Sequence, residues 1–467
     1  MNRQQRRDLG RRLETNDPGL SIVHENAGGV DVGNESHFAA VPGDRDPHPV
    51  QEFGCWTNDL IRMAEWLQKC RIDTVALQAT GVYWIGLCDT LEQHGIRVVV
   101  ANAQHTRNLP GRKSDVQECQ WLMKLHTYGL LRDSFRVGED MQRVRAVWRL
   151  RSRHVEEAAR AIQHMQKALT QMNVQLSNVL SDISGVSGQA IIEAILKGER
   201  DPYKLAGLCH KRVQATREEV AQSLRGNWRE EVLFELEQAV ESYRFAQLQM
   251  RACDQKLEGY IKSVPTRVIE NPVPPPDSEI DLIVKPKRSR KQGNTPELNL
   301  KEELKRMCGV DLTSIDGIDV MTAQTVIAEI GTDMTRFRNE NAFAAWLGLT
   351  PSRDVSGGRV IRMVRRKVQN RAATALRMAA STLIRSKSYL GARYRHLQKR
   401  LPSKPAAVKA MARYLAVLIF RLLTKGHAWV DRGAATFEQR RTELELTTLK
   451  SKAFANGYAL IPIAEAR

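Results

Sequence analysis

Four polar side chains near the N-terminus have the types and spacing of an oxygen-ligand metal site. Asp31 falls in the middle of the strand-like run 28–33, where a buried carboxylate is costly unless it is paired or binds a metal. Gln78 ends another strand-like run, and Asp115 and Glu118 are three residues apart, which puts them on one helix face. Such oxygen donors suit Mg²⁺, which neutralises a phosphate and orients the group that attacks it. A solvated helix start explains Asp115 and Glu118 equally well.

A second candidate lies in the segment 351–359, which reads PSRDVSGGR. Ser356 precedes two glycines, so it can occupy an exposed turn that a phosphate approaches closely. Arg353, Arg359 and Arg362 flank it and can hold that phosphate and stabilise its developing charge. No histidine stands nearby in the sequence to act as base, so a hydrolase triad is not supported. On spacing alone, an ordinary Ser-Gly-Gly turn is the simpler interpretation.

The charge balance favours a polyanionic partner. The chain has 71 Lys and Arg against 53 Asp and Glu, a formal net charge of +18. Between residues 351 and 413 there are 17 Lys and Arg and one acidic residue, Asp354, a local net charge of +16. A solvated surface normally mixes both signs, so this stretch predicts contact with a nucleic-acid backbone. The predicted contacts are Arg353, Arg359, Arg362, Arg365, Arg366, Lys367, Arg371 and Arg377.

Length and composition limit the class of protein. At 467 residues the chain is too long for one ordinary core, so two or three domains are expected. Seven cysteines without a C-x-x-C pair indicate neither a zinc site nor a disulfide framework and fit a reducing cytoplasm. No apolar stretch approaches the roughly 18 residues of a membrane span, and the N-terminal arginines precede no secretory signal. A cytoplasmic protein without a membrane partner is expected.

The elements that would position the polar residues begin after an Arg-rich segment, 1–27, that predicts a flexible basic arm. In 28–140, an opening hairpin followed by β-α-β units predicts a mixed α/β sheet. A further helix is expected to begin with Ser114 as its N-cap and to run to about residue 127. The β-prone runs are 30–32, 38–41, 74–77 and 96–100, and the helical stretches are 58–70 and 83–94.

The region 141–263 changes to heptads. Two apolar stripes with alternating spacings of three and four, separated by a glycine-containing segment, predict an antiparallel coiled-coil hairpin. The stripes either pack within the chain or, as we favour, associate protomers into a dimer or tetramer. The first stripe comprises Val155, Ala158, Ile162, Met165, Leu169, Met172, Leu176 and Val179, and the second Leu236, Ala239, Tyr243, Ala246, Met250, Cys253, Leu257 and Tyr260.

The remaining segments differ in composition. Prolines and a basic run predict a linker over 264–300. The domain 301–440 is predicted to be all-α, and its segment 314–319 with the following apolar run resembles a helix-hairpin-helix element, whose glycine turn presents backbone N–H groups to a DNA phosphate. Residues 441–467 are predicted to be a tail.

Taken in order, these motifs resemble those of the DEDD transposases of bridge-RNA-guided insertion sequences. The resemblance covers about residues 28–440. In the N-terminal part it rests on 30–33, 79–84, 110–115 and 120–122. In the C-terminal part, 318–329, 346–351 and 356–358 are similar to that family's second transposase domain.

The resemblance implies a RuvC-like, RNase H-like N-terminal domain in which Asp31, Asp115 and Glu118 bind Mg²⁺ and Gln78 completes the shell. It also implies a catalytic serine, Ser356, that forms a phosphoserine linkage with DNA, and a structured guide RNA that pairs with donor and target DNA. Gln78 stands where the family usually has Glu, and Glu118 where it has Asp. Gln offers one neutral carbonyl oxygen, so the site loses a charge, and a single Mg²⁺ or a weakened site is the consequence.

Three functional hypotheses follow. The favoured one is a recombinase that excises and inserts its element by cutting and rejoining DNA through Ser356. The alternative is a hydrolytic RuvC-type junction nuclease, in which metal-activated water attacks and Ser356 is incidental. A third is a non-catalytic nucleic-acid-binding protein whose metal site has decayed, as the neutral Gln78 would suggest.

Overall fold

A computed structural model describes residues 20–79, 81–102, 114–269, 294–357, 359–364, 370–426 and 433–461. The chain divides into two compact units, Met1–Arg136 and Val137–Arg467. The first is built on a mixed sheet, and the second is mainly helical and contains a β-hairpin. None of the described helices is long and apolar enough to cross a membrane.

The N-terminal unit contains five strands, β1 (Ala27–Val32), β2 (Ser36–Ala40), β3 (Val50–Gly54), β4 (Thr74–Gln78) and β5 (Arg97–Ala101). They form one sheet of order β3-β2-β1-β4-β5. Strand β1 pairs antiparallel with β2 and parallel with β4, and β5 extends the parallel half, so the predicted mixed α/β sheet is confirmed. The prediction missed β3, of which only Phe53 is buried.

Helices cover both faces of this sheet. One face packs against α1 (Thr57–Lys69) and α2 (Trp84–Gln93) in a core that includes Val30 and Leu77. Because side chains alternate along a strand, Gly29 and Asp31 point to the other face. That face carries α3 (Asp115–Thr127), which begins after the predicted N-cap, Ser114.

Two long helices, α4 (Glu139–Gln171) and α9 (Glu230–Ser263), pack against each other in the second unit. They run antiparallel, because Arg151 pairs with Asp254 near one end whereas Met165 and Val240 line the same cavity near the other. Between them in sequence lie α5 (Leu176–Val179), α6 (Val186–Leu196), α7 (Pro202–Ala206) and α8 (Arg217–Ser223).

The apolar stripes of these helices are used within the chain. Leu169 is 2% exposed and Leu257 is fully buried. The predicted antiparallel helix pair is therefore present, but its seam is not free to join protomers. The expectation that the stripes associate protomers was wrong, because apolar periodicity shows that a face is covered without showing what covers it.

Helices dominate the rest of the unit. Between the helices 340–346 and 371–382, the strands 352–356 and 359–364 form a hairpin, which corrects the all-helical prediction for 301–440. The predicted linker falls mostly on 270–293, outside the described residues. The elements are α10 (Leu300–Cys308), a 3₁₀ turn (Leu312–Ser314), α11 (Val320–Ile330), α12 (Glu340–Trp346), β6 (Ser352–Ser356), β7 (Arg359–Val364), α13 (Arg371–Thr382), α14 (Tyr389–Arg400), α15 (Lys404–Lys425) and α16 (Gly433–Ala455).

The segment compared with a helix-hairpin-helix joins α10 to α11. Gly317 has φ +85°, a conformation that favours glycine. Asp319 then caps α11 by accepting a hydrogen bond from the Thr322 backbone N–H at 2.7 Å. A DNA-binding role for this turn stays a prediction.

Candidate active site

Asp31 and Gln78 occupy equivalent positions at the ends of adjacent parallel strands. The register pairs Gly29 with Ala76 and Val30 with Leu77, so the next pair of positions along β1 and β4 is Asp31 and Gln78. Both residues are half-buried, and both side chains point to the α3 face.

Helix α3 brings the predicted helix carboxylates to the same edge. At the start of β4, Thr74 Oγ1 lies 2.8 Å from Nε2 of His126, near the end of the helix. Further along β1, Gly29 lies against the backbone of Cys119 and Met123. The helix therefore runs antiparallel to β1. With about 1.5 Å of rise per helical residue and about 3.3 Å per strand residue, its first turn falls beside Asp31.

The pKa of Cys119 supports this placement. It is raised to about 12, first by burial and additionally by the charges of Asp31 and Asp115. The Cys119 thiol therefore lies close enough to both carboxylates, one on the strand and one on the helix, for their charges to raise its pKa. Of the predicted helix ligands, Asp115 is exposed and Glu118 is half-buried.

The helix start itself is well defined. Ser114 and Gln117 form a reciprocal capping box, in which the Ser114 side chain accepts a hydrogen bond from the Gln117 backbone N–H at 3.3 Å. Acidic residues in a first turn are also favoured by the helix dipole. Asp115 and Glu118 therefore have a structural role at this helix end that is compatible with metal binding.

Within the part of the chain that the structure describes, no group of three or more His, Cys, Asp or Glu side chains is close enough together to hold a metal ion. The three carboxylates thus do not form a closed cage. Mg²⁺ does not need one, because it commonly binds one or two protein carboxylates and completes its shell with water and substrate phosphate. Asp31, a carboxylate of α3 and the Gln78 carbonyl oxygen are a donor set that fits this ion.

Ser356 lies at the tip of an exposed hairpin. It pairs with Arg359 at the last position of the β6 and β7 register, so two residues make the turn. The first of them, Gly357, has φ +55°, as such tight turns require. Ser356, Gly357 and Arg359 are all exposed, which leaves the hydroxyl open to a bulky substrate.

An ion pair holds one flanking arginine on the hairpin. Arg362 Nε donates to Asp354 Oδ2 at 2.7 Å across the strands, beside an irregularity in the register at Asp354 and Val355. The Arg362 side chain is still 74% exposed, so this pair contributes little to stability. Arg359 and Arg362 therefore offer cationic donors on the strand that follows Ser356.

Helix α13 continues the basic surface. Asn370 caps its first turn by accepting from the Ala373 N–H at 3.1 Å, and Arg371 and Arg377 are exposed on the helix. A helix N-terminus beside an arginine suits a phosphate. Of the other predicted contacts, Arg365, Arg366 and Lys367 lie outside the described residues, and only the backbone of Arg353 is described.

Two features of the site were not predicted. Gly29 allows α3 to approach β1, and the signal was the doublet at 28 and 29 in a strand, where glycine marks close contact. The hairpin at 352–364 was signalled by Gly357-Gly358 between β-prone runs.

The comparison with protein families agrees with both halves of this description. Residues 28–174, which include the sheet, α3 and α4, match the family model of the DEDD transposase domain of the IS110 type, described as a transposase. Residues 311–395, which include the Ser356 hairpin, match the model described as the transposase IS116/IS110/IS902 family. None of the curated proteins is significantly similar to this chain. The chain thus carries two transposase domains of the IS110 family, and these support a transposase of an insertion sequence.

Proposed function

We propose that this transposase cuts and rejoins DNA through a phosphoserine intermediate at Ser356. The observation that carries the proposal is the position of Ser356 at an exposed two-residue hairpin turn, directly paired with Arg359. A serine used only to build a turn requires neither an adjoining strand with two exposed arginines nor a surrounding stretch of net charge +16.

The proposed reaction exchanges one phosphate ester for another. The Ser356 hydroxyl oxygen attacks the phosphorus, a new O–P bond forms, and the P–O bond to one sugar breaks. The serine proton passes to water or a carboxylate, and the sugar oxygen leaves as a hydroxyl after gaining a proton. Because the phosphoserine ester keeps the bond energy, a strand hydroxyl can reverse the reaction and rejoin DNA without a high-energy cofactor. Arg359 and Arg362 would hold the phosphate oxygens.

The carboxylate edge of the sheet would bind Mg²⁺ through Asp31 and the first turn of α3, Asp115 and Glu118, with the Gln78 carbonyl oxygen completing the shell. A bound Mg²⁺ neutralises phosphate charge and orients the attacking group. The protein's own contribution is to fix these donors on rigid elements, since the close contact at Gly29 determines how far α3 lies from β1.

The partners proposed are donor DNA, target DNA and a structured guide RNA, with a dimer or tetramer as the working assembly. The net charge of the 351–413 stretch is large enough to bind a long stretch of nucleic-acid backbone, but it does not distinguish DNA from RNA. Sequencing the RNA that co-purifies with the full chain tests the guide. A discrete structured species supports it, and a random sample of cellular RNA contradicts it.

An excision assay tests the function as a whole. Cells carry a plasmid with the element's ends around a marker and express either wild-type protein or Ser356→Ala. We expect the variant to bind DNA normally and to excise nothing, whereas Ser381→Ala, a matched change on α13, excises normally. Undiminished excision by Ser356→Ala would reject the serine mechanism. DNA cleavage without rejoining by both proteins would instead identify the hydrolytic nuclease.

A further inference from the structure

The last helix, α16, is held near its start and is exposed beyond it. Phe437 is buried, with its ring 5.2 Å from that of Tyr389 and 6.0 Å from that of His396 on α14. Every residue from 442 to 450 is exposed. At about 1.5 Å per residue, the part from 442 to 455 is roughly 21 Å long. An isolated helix of this length is marginal in water, so contact with a partner would stabilise this part of α16.

The exposed part carries an apolar stripe that α14 does not use. Leu446 and Leu449 are 47% and 53% exposed. At about 100° per residue, they lie roughly 180° and 120° around the helix from Phe437, whereas Leu444 lies close to the Phe437 face. Leu446 and Leu449 therefore point away from the anchored face.

The charges beside this stripe change sign along the helix. Glu443 and Glu445 precede the two leucines, and Lys450 and Lys452 follow them. Acidic side chains thus lie on one side of the midpoint between residues 447 and 448, and basic side chains lie on the other. Two such helices that run antiparallel place the acidic part of each beside the basic part of the other.

We propose that α16 pairs antiparallel with α16 of a second copy of this chain, about a two-fold axis between Thr447 and Thr448. In this arrangement, Leu446 of each copy meets Leu449 of the other. The flanking pairs join Glu445 to Lys452 of the second copy and Glu443 to its Lys450. These contacts are isologous, as a two-fold pair requires.

The charge pattern also selects the direction. In a parallel pair with the same leucine seam, Glu445 would lie beside Lys450 of the other copy, but Glu438 would lie beside Glu443, so two repulsive contacts would offset the two attractive ones. The antiparallel pair avoids this contact. Arg441 already pairs with Glu445 in its own helix at 2.8 Å, which holds that carboxylate on the exposed surface.

Substitution of the seam tests the proposal with the full chain. A helix pair of this size is a small interface, so we expect a dissociation constant in the micromolar range. Analytical ultracentrifugation at protein concentrations of about 1 to 100 µM measures the association. Leu446→Asp with Leu449→Asp should weaken association at least about tenfold. The control, Leu444→Asp, should leave it unchanged. A wild-type monomer throughout this range, or unchanged association of the double variant, would overturn the proposal.

A second test reverses the charges that flank the leucines. Association that is restored by mixing two variants cannot be explained by misfolding of either one. Glu443→Lys with Glu445→Lys makes the flanks basic, and Lys450→Glu with Lys452→Glu makes them acidic. Each variant alone should associate at least about tenfold more weakly than wild type, and an equimolar mixture should regain the wild-type strength as a heterodimer. A mixture no stronger than either variant alone would contradict the antiparallel α16 pair.

Discussion

Gly29 lies so close to the Cys119 carbonyl that no side chain fits between them. A Cβ on Gly29 would be 2.3 Å from the Cys119 oxygen and 2.3 Å from the Met123 nitrogen. Since both are backbone atoms of α3, the helix would have to move as a body. This contact sets the distance between Asp31 on β1 and the carboxylates of the first turn of α3.

The first prediction concerns that contact. Gly29→Ala should destabilise the N-terminal unit by about 2 kcal/mol or more, because an added methyl group forces backbone apart in a packed site. It should also raise the Mg²⁺ concentration needed for DNA cleavage. Gly43→Ala is the control, because no atom lies within 4 Å of the Cβ it would add. Denaturant unfolding and Mg²⁺ titration measure the two effects, and equal values for both variants would contradict the role of Gly29.

The second prediction concerns the neutral ligand. Gln78→Glu restores the charge at the end of β4 and should lower the Mg²⁺ concentration for half-maximal cleavage, because a carboxylate binds the ion more strongly than an amide oxygen. Glu52→Gln, a change of one charge on the exposed β3 position, should leave that concentration unaltered. A higher Mg²⁺ requirement in Gln78→Glu would show that Gln78 has another role.

The third prediction concerns the basic surface. Arg371→Ala with Arg377→Ala should weaken binding to all duplex sequences and reduce the slope of log affinity against log salt by about 0.9 for each lost phosphate contact. Lys167→Ala with Lys197→Ala removes the same charge from exposed positions on α4 and after α6. Equal slopes for these two double variants would show that duplex DNA does not bind at Arg371 and Arg377.

The fourth prediction concerns His126, whose pKa is lowered to about 4, first by burial and then by the charges of His24 and Arg97. The His126 ring therefore stays neutral in the folded protein at pH values, below about 6.5, at which it binds a proton in the unfolded chain. The free energy of unfolding is therefore highest above that pH and decreases as the pH falls toward 4. The expected decrease between pH 7 and pH 5 is about 2 kcal/mol.

His126→Gln should remove this loss, while His164→Gln, at an exposed position on α4, should retain it. Denaturant unfolding of the N-terminal unit at the two pH values measures the difference. The nearby Asp73 opposes the shift, so the measurement compares the variants with each other. The same pH dependence in His126→Gln and wild type would refute the assignment.

Much of the N-terminal unit could be predicted from the sequence because its signals are local. The β-prone runs 30–32 and 74–77 fall within β1 and β4, and Ser114 marks the start of α3. Side-chain chemistry and motif order suggested that Asp31 and Asp115 belong to one site. Their actual proximity depends on Gly29, whose effect is visible only when the atoms of α3 are placed against it.

The second unit shows the limits of periodicity. The stripes of α4 and α9 were found correctly, yet the partner of each stripe is the other stripe, and Leu169 and Leu257 are buried within one chain. The hairpin of Ser356 was missed because its Ser-Gly-Gly segment was interpreted as an ordinary turn within an all-α domain. Strand pairing is a long-range property, and a high local charge obscures the weak β signal.

The fate of a cleaved strand tests the central claim most directly. A labelled suicide substrate that cannot be rejoined is incubated with the protein and Mg²⁺ and analysed on a denaturing gel. We predict that the label migrates with wild-type protein and maps to Ser356, and that Ser356→Ala binds the same DNA without forming the adduct. Cleavage by Ser356→Ala at the wild-type rate, with free DNA ends and no protein-linked strand from either protein, would contradict the phosphoserine account.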